Sequence, residues 1–372
     1  MSHYGTGRGG VSQSPTDSGR GAILTFDAQR QCGRARELLF NAIQGSRLTR
    51  AISIKWRANL NKIERVTCTL RGDEVDRPPF SFWYHFGLQH MPGRKHAEAE
   101  IDFYRAYDLD FLKVMSDYPY PLPDGLEAIE TEEDWRRIEP IAPGNNCWSE
   151  QLAALSMIND KIGKEAMFIE TIFSTWTTAR RLARSGSLTA ARQNHPEPLL
   201  AAMDAISTSL ADYARQVLMR GAAGIFLSLG AATDEVMTRE EYQTWGRPFD
   251  LKILDAVREA PFNVLHIHGK RIHFDSVLDY PVSALNWSHF ATAPSLREGK
   301  VRSGKTVLGG IDEATASHVS APEISEQVCN AIREVGTRGL IVTPGCSVPT
   351  DTRERSLREV RVAVEYTRES AL

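Results

Sequence analysis

Asn263-Val264-Leu265-His266-Ile267-His268-Gly269 is a short apolar run closed by two histidines and a glycine. Its length and branched residues fit one buried strand, and the terminal glycine permits a tight exit turn. Runs of the same kind recur at residues 79–83, 110–115, 165–171, 224–228, 284–287, 306–310 and 339–344, with helical periodicity between them. With residues 263–268 they number eight. Alternation of strand and helix is the signature of a parallel sheet built from β-α units, and eight such units predict an α/β fold closed as a (β/α)8 TIM barrel. The intervening helices are clearest over residues 198–220, 239–259 and 321–335, the last starting after Ser320 with Pro322 in its first turn. An open doubly wound sheet is the competing arrangement, but no GxGxxG follows the first strand.

The 372 residues divide into three expected regions. Residues 1–21 are Gly/Ser-rich and carry too little apolar surface to offset the entropy of ordering, so a disordered tail is expected there. Residues 22–60 place Leu38, Leu39, Ala42 and Ile43 at helical spacing and predict an N-terminal helical extension, which would cover one barrel end or meet a partner subunit in a homodimer. Residues 61–372 form the expected catalytic barrel.

Charge excludes one class of partner. Lys and Arg number 44 against 47 Asp and Glu, dispersed along the chain, with no basic stripe of the kind that nucleic acid requires. No apolar stretch approaches the ~18 residues of a membrane span, and the amino terminus lacks a signal-type apolar segment. The five cysteines, Cys32, Cys68, Cys147, Cys329 and Cys346, are scattered and odd in number, which predicts a reduced, cytoplasmic protein.

Side chains two apart on a strand face the same side, so His266 and His268 can share one site at the carboxyl end of a barrel strand, where barrel enzymes hold catalytic groups. Two rim histidines that only hydrogen-bond are the bland alternative. Cys346 follows the last strand in Leu340-Ile341-Val342-Thr343-Pro344-Gly345-Cys346-Ser347. In a closed barrel the loops after every strand converge on one mouth, which brings a thiolate to two imidazoles. Three such ligands with an open fourth position form the usual catalytic zinc arrangement; a small buried hydrophobe is the alternative for Cys346. Glu170 and Asp312, each at the end of a strand, are the catalytic candidates, with a plain salt bridge the alternative for either. Asp110, Asp117, Tyr118 and Tyr120 form a weaker group that a packed loop would equally explain.

Six segments in order resemble the uroporphyrinogen decarboxylase-like superfamily: PPFSFWYHFG (78–87), DLDFLKVMSDYPYP (108–121), VLHIHG (264–269), ALNW (284–287), LGGID (308–312) and GLIVTPGCSVP (339–349). The similarity covers roughly residues 60 to 370 and implies two chemistries. Uroporphyrinogen decarboxylases use no cofactor and typically carry an early RQAGRY-type segment and a GHG after the last strand. Here neither is present, and Cys346 stands at the histidine position. The methylcobamide:coenzyme M methyltransferase branch uses zinc to activate a thiol, and its HxC plus distant Cys pattern maps onto His266, His268 and Cys346, with His268 in place of a cysteine. That resemblance implies methyl transfer to a thiol from a corrinoid protein docked on the mouth, with Trp83, His85, Tyr118 and Trp287 contacting a small-molecule substrate. The rivals are a metal-free lyase on a carboxylic acid or tetrapyrrole, for which Arg180, Arg181 and Lys270 are the available cations, and a non-catalytic corrinoid- or tetrapyrrole-binding protein.

Overall fold

The structure, a computed structural model, describes residues 59–116, 118–142 and 145–370. The expected tail (1–21) lies outside the described residues, as do Asp117 and all but the last two residues of the expected extension (22–60).

Among the described residues seven parallel strands follow the chain in order: β1 (Phe111–Val114), β2 (Met167–Phe173), β3 (Gly224–Leu229), β4 (Val264–Ile267), β5 (Ala284–Trp287), β6 (Thr306–Ile311) and β7 (Leu340–Pro344). They correspond to seven of the eight expected runs. The remaining run, 79–83, contributes a single parallel bridge, Phe80 to Val342, where a full strand was expected. Pro78 and Pro79 have no N–H to give to a ladder, which keeps the pairing short. The backbone groups that remain close the sheet: Val342 N donates to Pro79 O (2.8 Å), Ser81 N to Val342 O (3.1 Å) and Asp110 N to Phe80 O (3.0 Å). The same short segment therefore touches β7 on one side and the start of β1 on the other, and the fold is a TIM-type barrel.

A buried ion cluster pins this seam. The Asp110 carboxylate, wholly buried, is paired with Arg65 (2.8 Å) and Arg77 (2.6 Å) and also accepts from Phe80 N (2.9 Å). Asp110 thus belongs to the barrel closure.

Helices surround the sheet. Before β2 come α1 (Lys62–Leu70), α2 (Gly93–Tyr107), α3 (Glu132–Arg136) and α4 (Ser149–Ile162); between β2 and β4 lie α5 (Thr175–Leu182), α6 (Ser187–Asn194), α7 (Pro196–Met219), α8 (Arg239–Trp245) and α9 (Arg247–Asp255). After β5 follow α10 (Leu296–Ser303), α11 (Ala321–Val335) and α12 (Glu354–Ser370). The single helix expected over 239–259 is two, α8 and α9, broken at Gly246. The Tyr242 ring occupies the space where a Cβ on Gly246 would stand, 2.2 Å away, and Pro248 starts the second helix. None of the helices among the described residues is long and apolar enough to cross a membrane.

Strand periodicity sorts the core. Phe111, Ile169, Phe226, Val264, Ala284, Leu308 and Ile341 make an apolar layer inside the barrel, and the intervening residues pack outward against helices. Two residues further along the strands, Lys113, Thr171, Ser228, His266 and Asn286 follow with the same inward parity. The barrel interior is thus apolar at its base and polar towards the carboxyl ends.

Candidate active site and metal centre

His266 lies on β4 and His268 just beyond it, where His268 N still donates to Leu229 O (3.0 Å) and continues the parallel pairing. The chain then turns at Gly269, whose φ of 129° lies in the region open to glycine and whose Cβ would meet Thr233 Oγ1 at 2.7 Å. Cys346 comes from the loop after β7. Its approach needs Gly345, because a Cβ there would stand 2.6 Å from Ser288 Cα and 2.8 Å from Glu313 Oε2.

One ligand-capable atom from each of His266, His268 and Cys346 lies within 4.8 Å of the others, and Cys346 Sγ is 3.9 Å from His268 Nδ1. Asn286 sets the orientation of His266. Its amide Nδ2 donates to Leu308 O (3.1 Å) and Pro344 O (3.0 Å), so its Oδ1 must face His266 Nδ1, 2.7 Å away. That oxygen only accepts, which places the proton on Nδ1 and leaves Nε2 with its lone pair. Phe226 stacks on the same imidazole, 5.4 Å between centroids. On the other side, Glu313 fastens the cysteine loop: its carboxylate accepts from Gly345 N (3.1 Å) and from the Ser288 hydroxyl.

The electrostatics join the thiol to the imidazoles. Burial alone would push the Cys346 thiol up, but hydrogen bonds and charge from His266 and His268 outweigh it and bring the thiol down to about 4. The His268 ring is pushed up, chiefly by its hydrogen bond to Cys346. Two imidazole nitrogens and a thiolate sulfur, with one side open to a cavity, fit zinc: the donors are borderline to soft, three in number, and leave a fourth position.

The cavity, about 220 Å³, opens at the carboxyl ends of the strands, and all three ligand candidates line it. Trp83 and His85 line it too, as do three cations, Lys113, Arg180 and Arg181, and among the described residues no carboxylate does. Of the other candidates, Tyr118 lies in an adjoining cavity with its hydroxyl on Met91 O (2.5 Å). Trp287 faces the helix layer, fully buried, with its indole N–H on Pro294 O (2.9 Å) and its ring against Phe274. Glu170 also faces outward from β2, the opposite parity to Thr171, and accepts from Gln151 Nε2 (2.9 Å) and Tyr213 OH (2.8 Å). Burial pushes its carboxyl up to about 8. The Asp312 carboxylate is engaged within its own loop by Ala314 N and the Thr315 hydroxyl. Lys270 is not among the lining residues; its N–H donates to Glu235.

Asn286, Glu313 and Lys113 of this site went unnoticed in the sequence. Asn286 carries a detectable signal, a polar residue at the inward parity of an apolar strand. Glu313 carries none, since its partners come from two distant loops.

The family model for uroporphyrinogen decarboxylase (URO-D) matches residues 118–368, and the chain belongs to that family. Among curated proteins it is similar to the methylcobamide:CoM methyltransferase MtbA of Methanosarcina acetivorans, 25% identical over 241 residues, covering 63% of this chain and 68% of the relative. The MtbA of Methanosarcina mazei is 24% identical over the same coverage. Among solved structures, a methyltransferase from Methanosarcina mazei superposes with a TM-score of 0.65 at 16% identity, over 83% of this chain and 99% of that one. A B12-independent methionine synthase from Shewanella follows at 0.56 and 11% identity, over 79% and 94%. These two structures share the fold. The chain is a URO-D family protein, and methylcobamide:CoM methyltransferases are among its relatives.

Proposed function

We propose that this protein is a zinc-dependent methyltransferase that activates a thiol, or a similar nucleophile, to accept a methyl group carried by a corrinoid protein docked over the barrel mouth. The observation that carries the reading is the convergence of His266, His268 and Cys346 on one point of the cavity. Zinc held there would lower the pKa of a substrate thiol at its open position and supply a thiolate at neutral pH. The similarity to methylcobamide:CoM methyltransferases supports the methyl donor.

The chain's own groups contribute orientation and field. Asn286 keeps the proton on Nδ1 of His266 so that Nε2 faces the site. Glu313 and Ser288 hold the Cys346 loop at its distance from the imidazoles. Lys113, Arg180 and Arg181 in the lining favour an anionic acceptor and stabilise the charge that develops on it. Trp83 and His85 contact the substrate and narrow the access of water. Glu170 and Asp312 act through structure, as a buried hydrogen-bonded acid and a loop fastener.

A second reading draws on the same three cations. They would equally hold the carboxylate of an acid in a metal-free lyase. Elemental analysis separates the two: about one zinc per chain, lost in Cys346→Ser together with methyl transfer, is expected. Absence of metal from both proteins, with release of carbon dioxide from a carboxylic acid, would replace the first reading with the second.

A further inference from the structure

Beside the mouth lies a second cavity of about 180 Å³, between the loop after β1 and helices α4, α5 and α7. Tyr120, Trp148, Thr178, Leu182, Leu210 and Tyr213 are among the residues that line it. Three of these are rings in contact, with Trp148 4.7 Å from Tyr213 and 5.8 Å from Tyr120 between centroids. Their hydroxyls are already committed to the protein, Tyr213 to Glu170 (2.8 Å) and Tyr120 to Ser209 (3.0 Å). The chamber thus presents more ring and aliphatic surface than polar surface to a ligand, with Ser116, Tyr118, Thr178 and Arg181 in its polar lining, which suits an apolar, planar group carried on a polar link.

The chamber adjoins the catalytic cavity. Thr171, Phe173 and Arg181 line both, and the Arg181 guanidinium lies over the Phe173 ring at 3.5 Å from its centroid. These residues are the partition between the two spaces. Its size also limits the occupant, since an apolar cavity of about 150 Å³ is enough for one benzene ring.

We propose that the chamber is a specificity subsite for an aryl group of the acceptor, joined to its reacting end by a short linker that passes Phe173 and Arg181. The inference deepens the reading of the mouth as a thiol site and rests on it for the reacting end only. The acceptor is then an aryl-bearing thiol, with selectivity set by the chamber and not by the metal ligands.

Calorimetric titration of the zinc-loaded full chain with benzyl mercaptan, 2-phenylethanethiol, 3-phenylpropane-1-thiol and ethanethiol tests it. At least one aryl thiol should bind about tenfold or more tighter than ethanethiol, the scale expected for burying one ring. Thr178→Phe and Leu210→Phe, which fill the chamber from two different helices, should each erase that preference and leave ethanethiol binding unchanged. No preference in the unmodified protein, or a preference that survives in folded chamber-filling variants, overturns the proposal. The matching aryl alcohols and ethanol, titrated on metal-free protein, read the chamber alone. An aryl preference there, with no thiol binding by the zinc-loaded protein, would overturn the thiol reading and leave the subsite standing; no preference there would overturn the subsite.

Discussion

At the scale of single residues, the site depends on two side chains that bind no substrate. Asn286 is fixed by two carbonyls and fixes His266 in turn. Asn286→Ala should therefore lower zinc affinity by about 10- to 100-fold, the usual consequence of losing the partner that orients a ligating histidine, measured by competition with a chelator. Cys346 offers a test without metal. With its thiol near 4, the metal-free protein should be alkylated by iodoacetamide at Cys346 already at pH 6, where Cys147 and Cys329, both pushed up by burial, stay unreactive. His268→Ala should move the Cys346 reaction to higher pH, followed by mass spectrometry of the labelled peptides. The three ligand candidates were legible from strand parity and from the convergence of barrel loops. Asn286 and Glu313 were not, because each acts through a neighbour set by register between strands. The sequence reading of 284–287 settled on the large Trp287, which the strand turns away from the barrel.

At the scale of elements, the apolar runs located seven strands within a few residues, since a strand buried on both faces reads as a short apolar stretch. What failed depended on backbone chemistry: two prolines shortened the first strand to a bridge, and Gly246 with Pro248 divided one helix into two. Choice by position at a strand end also misplaced Glu170. Counted from the inward Thr171 it faces α4 and α7, where burial pushes it up to about 8. The folded chain then keeps a proton there that the unfolded chain gives up above the usual carboxylate value of 4.5. Stability from this group is full below that value and is lost as pH rises towards 8. Asp250, buried beside Tyr242 and pushed up to about 7, adds a slope of the same sign. Urea unfolding of Glu170→Gln between pH 5 and pH 8 should accordingly show a flatter stability profile than the unmodified protein. An unchanged slope would mean that Glu170 is ionised in the folded chain.

At the scale of the whole molecule, closure of the barrel and assembly of the site are one event. His266 on β4 and His268 just beyond it are local to each other, whereas Cys346 arrives from the loop after β7, the strand that meets the 79–81 segment at the seam. Trp83 continues from that same segment, and its carbonyl accepts from Val348 N (2.9 Å), two residues beyond Cys346. The seam is held by Asp110 between Arg65 and Arg77, three side chains under a tenth exposed. Asp110→Ala leaves two guanidinium groups without that carboxylate in a dry setting and should cost about 3–5 kcal/mol of stability, measured by urea unfolding. The milder Asp110→Asn keeps an acceptor and the shape while removing the charge. Because the seam also positions the Cys346 loop, Asp110→Asn should weaken zinc binding in the fraction that remains folded, while Glu170→Gln, which alters stability from the helix side of β2, should leave zinc affinity unchanged. Equal zinc affinity in the two variants would show that the cysteine loop is held by Glu313 and Ser288 alone, independently of how the barrel closes.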